Sequence, residues 1–298
     1  MEKSKEKEIL ENSVLELSNP SLGRFALHLA GDWLAVFAGF SLFAVFPNVA
    51  GFLAASVVLG LAQHALVVLG HEAVHYRACR NRALNEWIGQ LFCFFPMGLT
   101  VTAYREFHYP HHRNTNTAQD PELPLRKAMG KNWVGPFTLR RGLKLWALSF
   151  LGLSLKELGI FILNLPLGRP VERGYLALFS GAVVFLAYRG GMLPFVVLWY
   201  FALATTYFST LRIQAWFEHS LADTDTNRYS LPHPVFRLLV PHNIWVHYEH
   251  HKYPNVPFFN LEKVRKFDDS SRIHSFREME LALSLSSAVT AEPVRKAA

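Results

Sequence analysis

The chain has 298 residues, of which 51% are hydrophobic and 18% charged, with a formal net charge of +7. A typical soluble domain carries roughly 25% charged residues, so the composition argues against a soluble enzyme, and 24 Phe and 7 Trp suit a chain solvated by lipid. No block of Lys and Arg interleaved with aromatics marks a nucleic-acid face, and Cys79 and Cys93 form neither a CxxC nor a metal spacing, so no oxidising compartment is implied.

Residues 1–24 are polar, of mixed charge and without an apolar h-region. They read as a cytosolic lead-in rather than a cleavable signal. The first apolar run, 25–46, is long enough at about 1.5 Å per residue to cross a hydrocarbon core of ~30 Å. Pro47 and Asn48 break it, and a second run, 49–70, returns the chain to the starting side. This run leads directly into HEAVH, 71–75, which matches the H-E-x-x-H helix of zinc proteases. Residues 84–104 are nearly long enough to span, but Pro96, Gly98 and polar ends suit a segment lying in the interface. The stretch 143–167, interrupted by Lys144, Lys156 and Glu157, is expected to form one or two amphipathic helices at the membrane surface. Two further spans are expected at 175–188 and 192–211, joined by Arg189, Gly190 and Gly191 as a helical hairpin.

Positive charge orients this arrangement. Arg77, Arg80, Arg82, Arg105, Arg113, Arg140, Arg141 and Arg169 fall on one side, whereas the opposite loops hold Arg189 alone. That side is then cytosolic. The expected fold is an all-α membrane protein, with four transmembrane helices in two hairpins and a cytosolic helical cap. The membrane domain covers 25–265, with its cap from 71–174 and 212–265; 266–298 is a tail whose last residues, 288–298, read as disordered.

Nine of the 14 histidines fall in four groups on the cytosolic side. His71 and His75 are spaced i, i+4 and point off one helix face. HYPHH brings His108, His111 and His112; His219 follows the last span; HYEHH brings His247, His250 and His251. A zinc site takes four ligands, or three and a water. Nine imidazoles exceed that and suit two metal ions with four or five nitrogens each. Imidazole suits Fe, Cu, Ni and Zn alike, so ligand type does not select the metal. His28 and Asp32, i, i+4 in the first span, and His64 in the second are polar groups in lipid that must pair or line a cavity. Trp33, Trp199, Tyr207 and Trp216 are candidates to line a substrate path.

At these boxes the chain resembles the membrane fatty acid desaturase family, whose mark is HxxxH or HxxxxH, then HxxHH, then HxxHH. Here the boxes read HEAVH, HYPHH and HYEHH, and the likeness runs from about residue 25 to 265. HYPHHRNTNTAQDPEL and HNIWVHYEHHKYPNVPFFNL are similar to the family's second and third boxes with their flanks. The resemblance implies a mushroom-like fold and a non-haem di-iron centre held by the box histidines together with His219. It places Asn243 near one iron, and acidic neighbours, for which Glu72, Asp120, Glu218 and Glu249 are the candidates, as groups that orient the imidazoles. Glu72 is then not a protease base. The implied chemistry is O2-dependent oxidation of a lipid or long-chain hydrocarbon, giving an alkene. A hydroxylase or ketolase of a carotenoid, sterol-like or alkyl substrate would share the cluster, and a zinc-dependent membrane hydrolase or receptor is the remote alternative. With no HPGG, GxGxxG or CxxC pattern, electrons are expected from a separate ferredoxin or cytochrome b5-like donor docked on the basic face.

Overall fold

The computed structural model describes residues 2–133, 137–222, 225–231 and 233–285, so the stretch 288–298 lies outside the described residues. Apart from one isolated bridge between Tyr229 and His274, the described residues form helices and their connections.

α1 (Glu2–Leu17) precedes α2 (Leu22–Val45), which Ser21 caps by accepting the Arg24 amide. α3 (Val49–Val74) starts at Asn48, whose side chain accepts the Gly51 amide. These caps answer backbone N–H groups that a helix start leaves without partners. α4 (Arg82–Ile88) runs into a π-helical turn, Gly89–Phe94, and a single 3-10 turn, Phe95–Met97. α5 (Val101–Asn114), α6 (Glu122–Met129), α7 (Leu139–Ser149) and α8 (Leu153–Asn164) follow. α9 (Pro170–Arg189) and α10 (Leu193–Ala202) come next, and a π turn, Leu203–Tyr207, leads from α10 into α11 (Phe208–His219). α12 (His247–Lys252), α13 (Phe258–Val264) and α14 (Phe276–Leu285) complete the described chain.

Among the described residues, four helices are long and apolar enough to cross a membrane: Leu22–Val45, Val49–Val74, Pro170–Arg189 and Leu193–His219. They overlap the four apolar runs of the sequence. The first two helices reach a few residues past 25 and 70, and the fourth continues to His219. The stretch 84–104 forms no such helix: it is broken into short turns, and Gly98 adopts φ +76°. α7 and α8 meet at 89° where Gly152 takes φ +91°, so the amphipathic stretch is two helices.

α3 is the internal helix. Most of its residues from Leu59 onward are buried, whereas α2 and α9 expose large apolar side chains such as Leu27, Phe37 and Leu178. Exposed apolar area on that scale suits lipid rather than water. Between lipid-facing helices, close packing replaces the hydrophobic driving force, and small residues allow it. At Gly60 a Cβ would lie 2.4 Å from the Thr206 Cβ and 2.8 Å from the Tyr207 amide nitrogen, so glycine is what lets α3 meet the π turn. Buried polar groups bond across helices: Gln63 Nε2 donates to the Trp199 carbonyl at 2.8 Å, and Arg212 pairs with Glu157.

Residues beyond 265 are not all loose. In α14, Met279 and Leu283 are buried, and Leu283 packs with Phe137, Leu145 and Trp216.

Candidate metal centre

The nine box histidines converge in two groups. His71, His75, His108, His112 and His250 form the first, and His111, His219, His247 and His251 the second. Within each group one ligating atom per residue lies within 4.8 Å of every other. Helix periodicity explains the division. His71 and His75 end α3, His108 and His112 lie one turn apart on α5, and all four enter the first group. His247 and His251 lie one turn apart on α12 and enter the second. Each HxxHH box therefore gives its i, i+4 pair to one group and its middle histidine, His111 or His250, to the other. The i, i+4 pair shares a face, and the residue between points about a quarter turn away.

The nitrogens face one another. His108 Nε2 is 2.8 Å from His71 Nε2, 3.1 Å from His75 Nε2 and 2.8 Å from His112 Nε2, and His250 Nε2 is 3.1 Å from His112 Nε2. His247 Nε2 is 3.1 Å from His219 Nε2. A neutral imidazole has one N–H, so His108 cannot satisfy three such neighbours by hydrogen bonding. His111 Nε2 and His251 Nε2 are buried without any hydrogen-bond partner. Converging lone pairs of this kind fit cations, and the donor set fits a metal site.

Burial favours the neutral, ligating form of the rings. Burial first, then the neighbouring His71 and His112 and the nearby Arg77 and Arg105, holds His75 well below the ordinary histidine value. Burial, with His71 and His111, brings His112 down to about 2. His108, His247, His250 and His251 are depressed by burial and by one another. His111 differs. Burial opposes its protonation, but Glu122 and the Asp120 hydrogen bond outweigh that and raise it. Asp120 in turn is lowered: burial works against its charge, and the His111 hydrogen bond and the Glu122 and Asn116 amides prevail.

The acidic candidates sit in different surroundings. Asp120 Oδ1 accepts from His111 Nδ1 at 2.9 Å, which leaves Nε2 to face the group. The Glu72 carboxylate accepts the Phe258 amide at 3.0 Å and so ties α3 to the start of α13. Glu218 accepts from Gln214 Nε2 at 2.8 Å and lies 3.5 Å from His247 Nδ1, which is not aligned as a hydrogen bond. Glu249 is held by two arginines: Arg228 Nε at 2.6 Å, and Arg265 Nε and Nη2 at 2.9 Å each. Asn243, at φ +54°, donates its side-chain amide to the Phe258 carbonyl at 3.1 Å.

Three features escape a reading by spacing. Gln214 accepts from His64 and donates to Glu218, so a polar chain runs from inside α3 toward His247. Asp32 pairs not with His28 but with His242, 210 residues away, at 2.8 Å, while His28 packs edge-on against the His242 and Phe258 rings. Thr115 Oγ1 lies 3.0 Å from His251 Nδ1 and fixes that ring. For Asp120 and Thr115 the signal was present in the polar stretch after the second box; for Gln214 only a polar residue one turn before Glu218 marked it.

Two neighbouring cavities lie beside the groups, and the first of them touches the histidines. One of about 80 Å³ touches His71, His108, His111, His219 and His247. Its neighbour, of about 70 Å³, shares Val67, Tyr104, Glu122, Leu211 and Ala215 with it and extends to Met129, Trp133 and Phe161. Of the four aromatics expected to line a path, Tyr207 borders this pocket; Trp33 and Trp199 border a separate apolar groove of about 520 Å³, and Trp216 donates to the Asn132 carbonyl elsewhere.

The sequence profile of the fatty acid desaturase family matches residues 47–271. The dihydrorhizobitoxine desaturase of Bradyrhizobium elkanii is 27% identical over 235 residues, 71% of this chain and 66% of that protein. The Delta(8)-fatty-acid desaturase of Euglena gracilis is 30% identical over 69 residues, 23% of this chain and 16% of that protein. The chain thus spans just under two thirds of the first relative and a small part of the second. With a family match over most of its length, four apolar helices and two histidine groups that could each hold a metal ion, this chain belongs to the fatty acid desaturase family of oxidoreductases.

Proposed function

We propose that this protein is a membrane-bound, non-haem di-iron desaturase that uses O2 and two electrons to introduce a double bond into an aliphatic substrate. The observation that carries the reading is a coincidence in space: a cavity that touches both groups of converging imidazole nitrogens shares a wall with a more apolar neighbour. The five histidines of the first group and the four of the second would hold one iron each. Iron bound there would supply oxidation of an unactivated C–H bond by O2.

The remaining work falls to this chain's side chains. Val67, Leu211 and Ala215 line the pocket beside the imidazoles, where they would hold methylenes at the site and keep water out. Asp120 and Thr115 orient the rings of His111 and His251. Gln214 holds Glu218 beside His247. Asn243 and Glu72 both bind the backbone of Phe258, which joins the loop before the third box to the end of α3. The arginine-rich side faces the cytosol with both ends of the chain, by the asymmetry of positive charge. Electrons come from a separate ferredoxin or cytochrome b5-like donor.

A second reading concerns substrate size. The two cavities, of about 80 and 70 Å³, are small beside the ~300–1,000 Å³ of ordinary ligand pockets, and Glu122 and Arg126 stand in their walls. That favours a short aliphatic substrate with a polar group over a long acyl lipid, and it disfavours a ring-bearing carotenoid. The Bradyrhizobium relative is named for dihydrorhizobitoxine, not for a fatty acid.

The test is metal content per purified chain by elemental mass spectrometry, beside a His108→Ala, His250→Ala double variant, followed by product analysis with acyl lipids and short aliphatic substrates. Two irons, depleted in the variant, with an unsaturated product, are expected. One zinc, retained by that variant and lost by His71→Ala, would overturn the reading.

A further inference from the structure

The second histidine group gathers four imidazoles where the first gathers five. Neutral rings leave the full charge of an ion uncompensated, and His111, His219 and His247 are buried. A buried charge calls for an opposite charge beside it. Among the described residues, three carboxylates come within 4.0 Å of a box histidine, at different nitrogens. Asp120 meets Nδ1 of His111 at 2.9 Å, and Glu218 meets Nδ1 of His247 at 3.5 Å. Both leave Nε2 to face the group. Glu122 is different: its Oε1 lies 3.8 Å from His111 Nε2, the nitrogen that faces the group and has no hydrogen-bond partner. Two atoms bonded to one ion at about 2.1 Å each lie no more than ~4.2 Å apart, so this pair is close enough to share an ion.

The rest of its surroundings leave Glu122 uncommitted. Among the described residues its carboxylate accepts no hydrogen bond, and its other cationic neighbour, Arg126, holds Nε 4.0 Å from Oε2. The other acidic residues near the groups are engaged: Glu72 by the Phe258 amide, Glu218 by Gln214, Glu249 by Arg228 and Arg265. Glu122 lines both cavities and stays 23% exposed, so its side chain has room to move. Its backbone does not. Asp120 Oδ1 accepts the Glu122 amide at 2.9 Å and also meets His111 Nδ1 at 2.9 Å. One carboxylate thus fixes the ring of His111 and the first turn of α6, where Glu122 sits.

We propose that Glu122 is an anionic ligand of the ion held by the second group, joining His111, His219, His247 and His251. The inference rests on the two-ion reading above and adds an oxygen donor to one ion of the pair. The four imidazoles converge without Glu122, so its carboxylate closes on the ion from the cavity side. The two ions then differ in kind. The first has an all-nitrogen, neutral ligand set with Arg77 and Arg105 near His75. The second has one negative ligand, which offsets part of its buried charge.

The experiment titrates the metal-free protein in detergent with Co(II), whose visible absorption reports the donors around it. Wild type is compared with Glu122→Gln, which keeps the size of the side chain and removes its charge. The variant should weaken one of two sites by about tenfold or more, the scale on which groups around a metal ligand act. The absorption of that site should change, and the other site should keep both its affinity and its spectrum. The metal-free variant should melt at the temperature of the wild type. In a His219→Ala background, where the second site is already impaired, adding Glu122→Gln should leave the first site unchanged. Two ions bound with unchanged affinity and absorption in Glu122→Gln would overturn the inference and leave the two-ion reading intact. Equal weakening of both sites with a lowered melting temperature would make Glu122 part of the fold and would also overturn it. A wild type that binds no ion at the second group would sink both readings together.

Discussion

The two histidine groups share the same ligand chemistry but not the same surroundings. The first takes its five imidazoles from α3, α5 and α12, and two of them, His75 and His112, border a basic cleft. The second takes four, one of which, His219, ends α11; it is supported by Asp120 on His111, Thr115 on His251 and Glu218 beside His247. An ion in the first group would be held by numbers and reached from outside. An ion in the second would have fewer imidazoles, and its affinity would depend more on groups that orient them. The lesson is that equal-looking sequence boxes can build unequal sites, because each box is split between both groups.

Acid should break the comparison most strongly. His75, His108, His112 and His250 in the first group, and His247 and His251 in the second, are all depressed by burial and by one another. For a depressed histidine the unfolded chain binds the extra proton first. Stability is then full above the unfolded value of about 6.5 and lost as pH falls below it, by up to ~1.4 kcal/mol per pH unit for each such group. His111 has the opposite sign. Its folded value is raised, so its contribution is present below about pH 6.5 and lost as pH rises through that folded value. The metal-free protein in detergent should therefore lose thermal stability steeply between about pH 6.5 and 5. A flat profile there would mean that the imidazoles are not packed as neutral rings.

Asp120→Asn sharpens the contrast within the site. The amide can still accept from His111 Nδ1 but loses the carboxylate charge that holds the ring and, after Glu122, helps raise His111. Groups that orient a ligating histidine are worth roughly 10–100-fold in metal affinity. Titration with Fe(II) should show one of two sites weakened by about that factor and the other unchanged. Acid lability of the metal-free variant should steepen only modestly, since Glu122 still raises His111. Equal weakening of both sites would mean that the groups are coupled and the comparison drawn above is wrong.

Much of this was legible in the sequence, for reasons that differ by element. The four long helices follow from hydropathy, because lipid imposes about 20 consecutive apolar residues and punishes anything else. Three histidine pairs follow from i, i+4 spacing, which depends only on local geometry, and His111 and His250 come with their boxes, whereas His219 was given only by the family resemblance. The partition into five and four could not be read, because whether His111 joins His108 or His219 depends on how α5, α11 and α12 are placed against one another. Glu249 illustrates the same limit. It lies between His247 and His250 in the box, and its carboxylate is taken by Arg228 and Arg265 from distant segments. Gln214 carried no motif, and its role exists only because His64 and Glu218 lie on either side of it.

Asp32 is the clearest case and the smallest expected effect. On α2 it stands one turn after His28, and helix spacing alone would join them. The structure gives its carboxylate to His242 instead, a residue at φ +51° next to Asn243 at +54°. Two consecutive left-handed residues turn the chain sharply just before the third box, and that turn is what brings His242 to α2. The pair therefore ties the approach to α12 to the first long helix, outside both histidine groups. Asp32→Asn keeps a neutral hydrogen bond to His242 and removes the charge, so the cost should be about 1 kcal/mol of stability. Iron content and the affinity of both sites should be unchanged, in contrast with Asp120→Asn. Loss of metal in the Asp32 variant, with its melting temperature preserved, would place the Asp32–His242 contact inside the machinery that orders the third box.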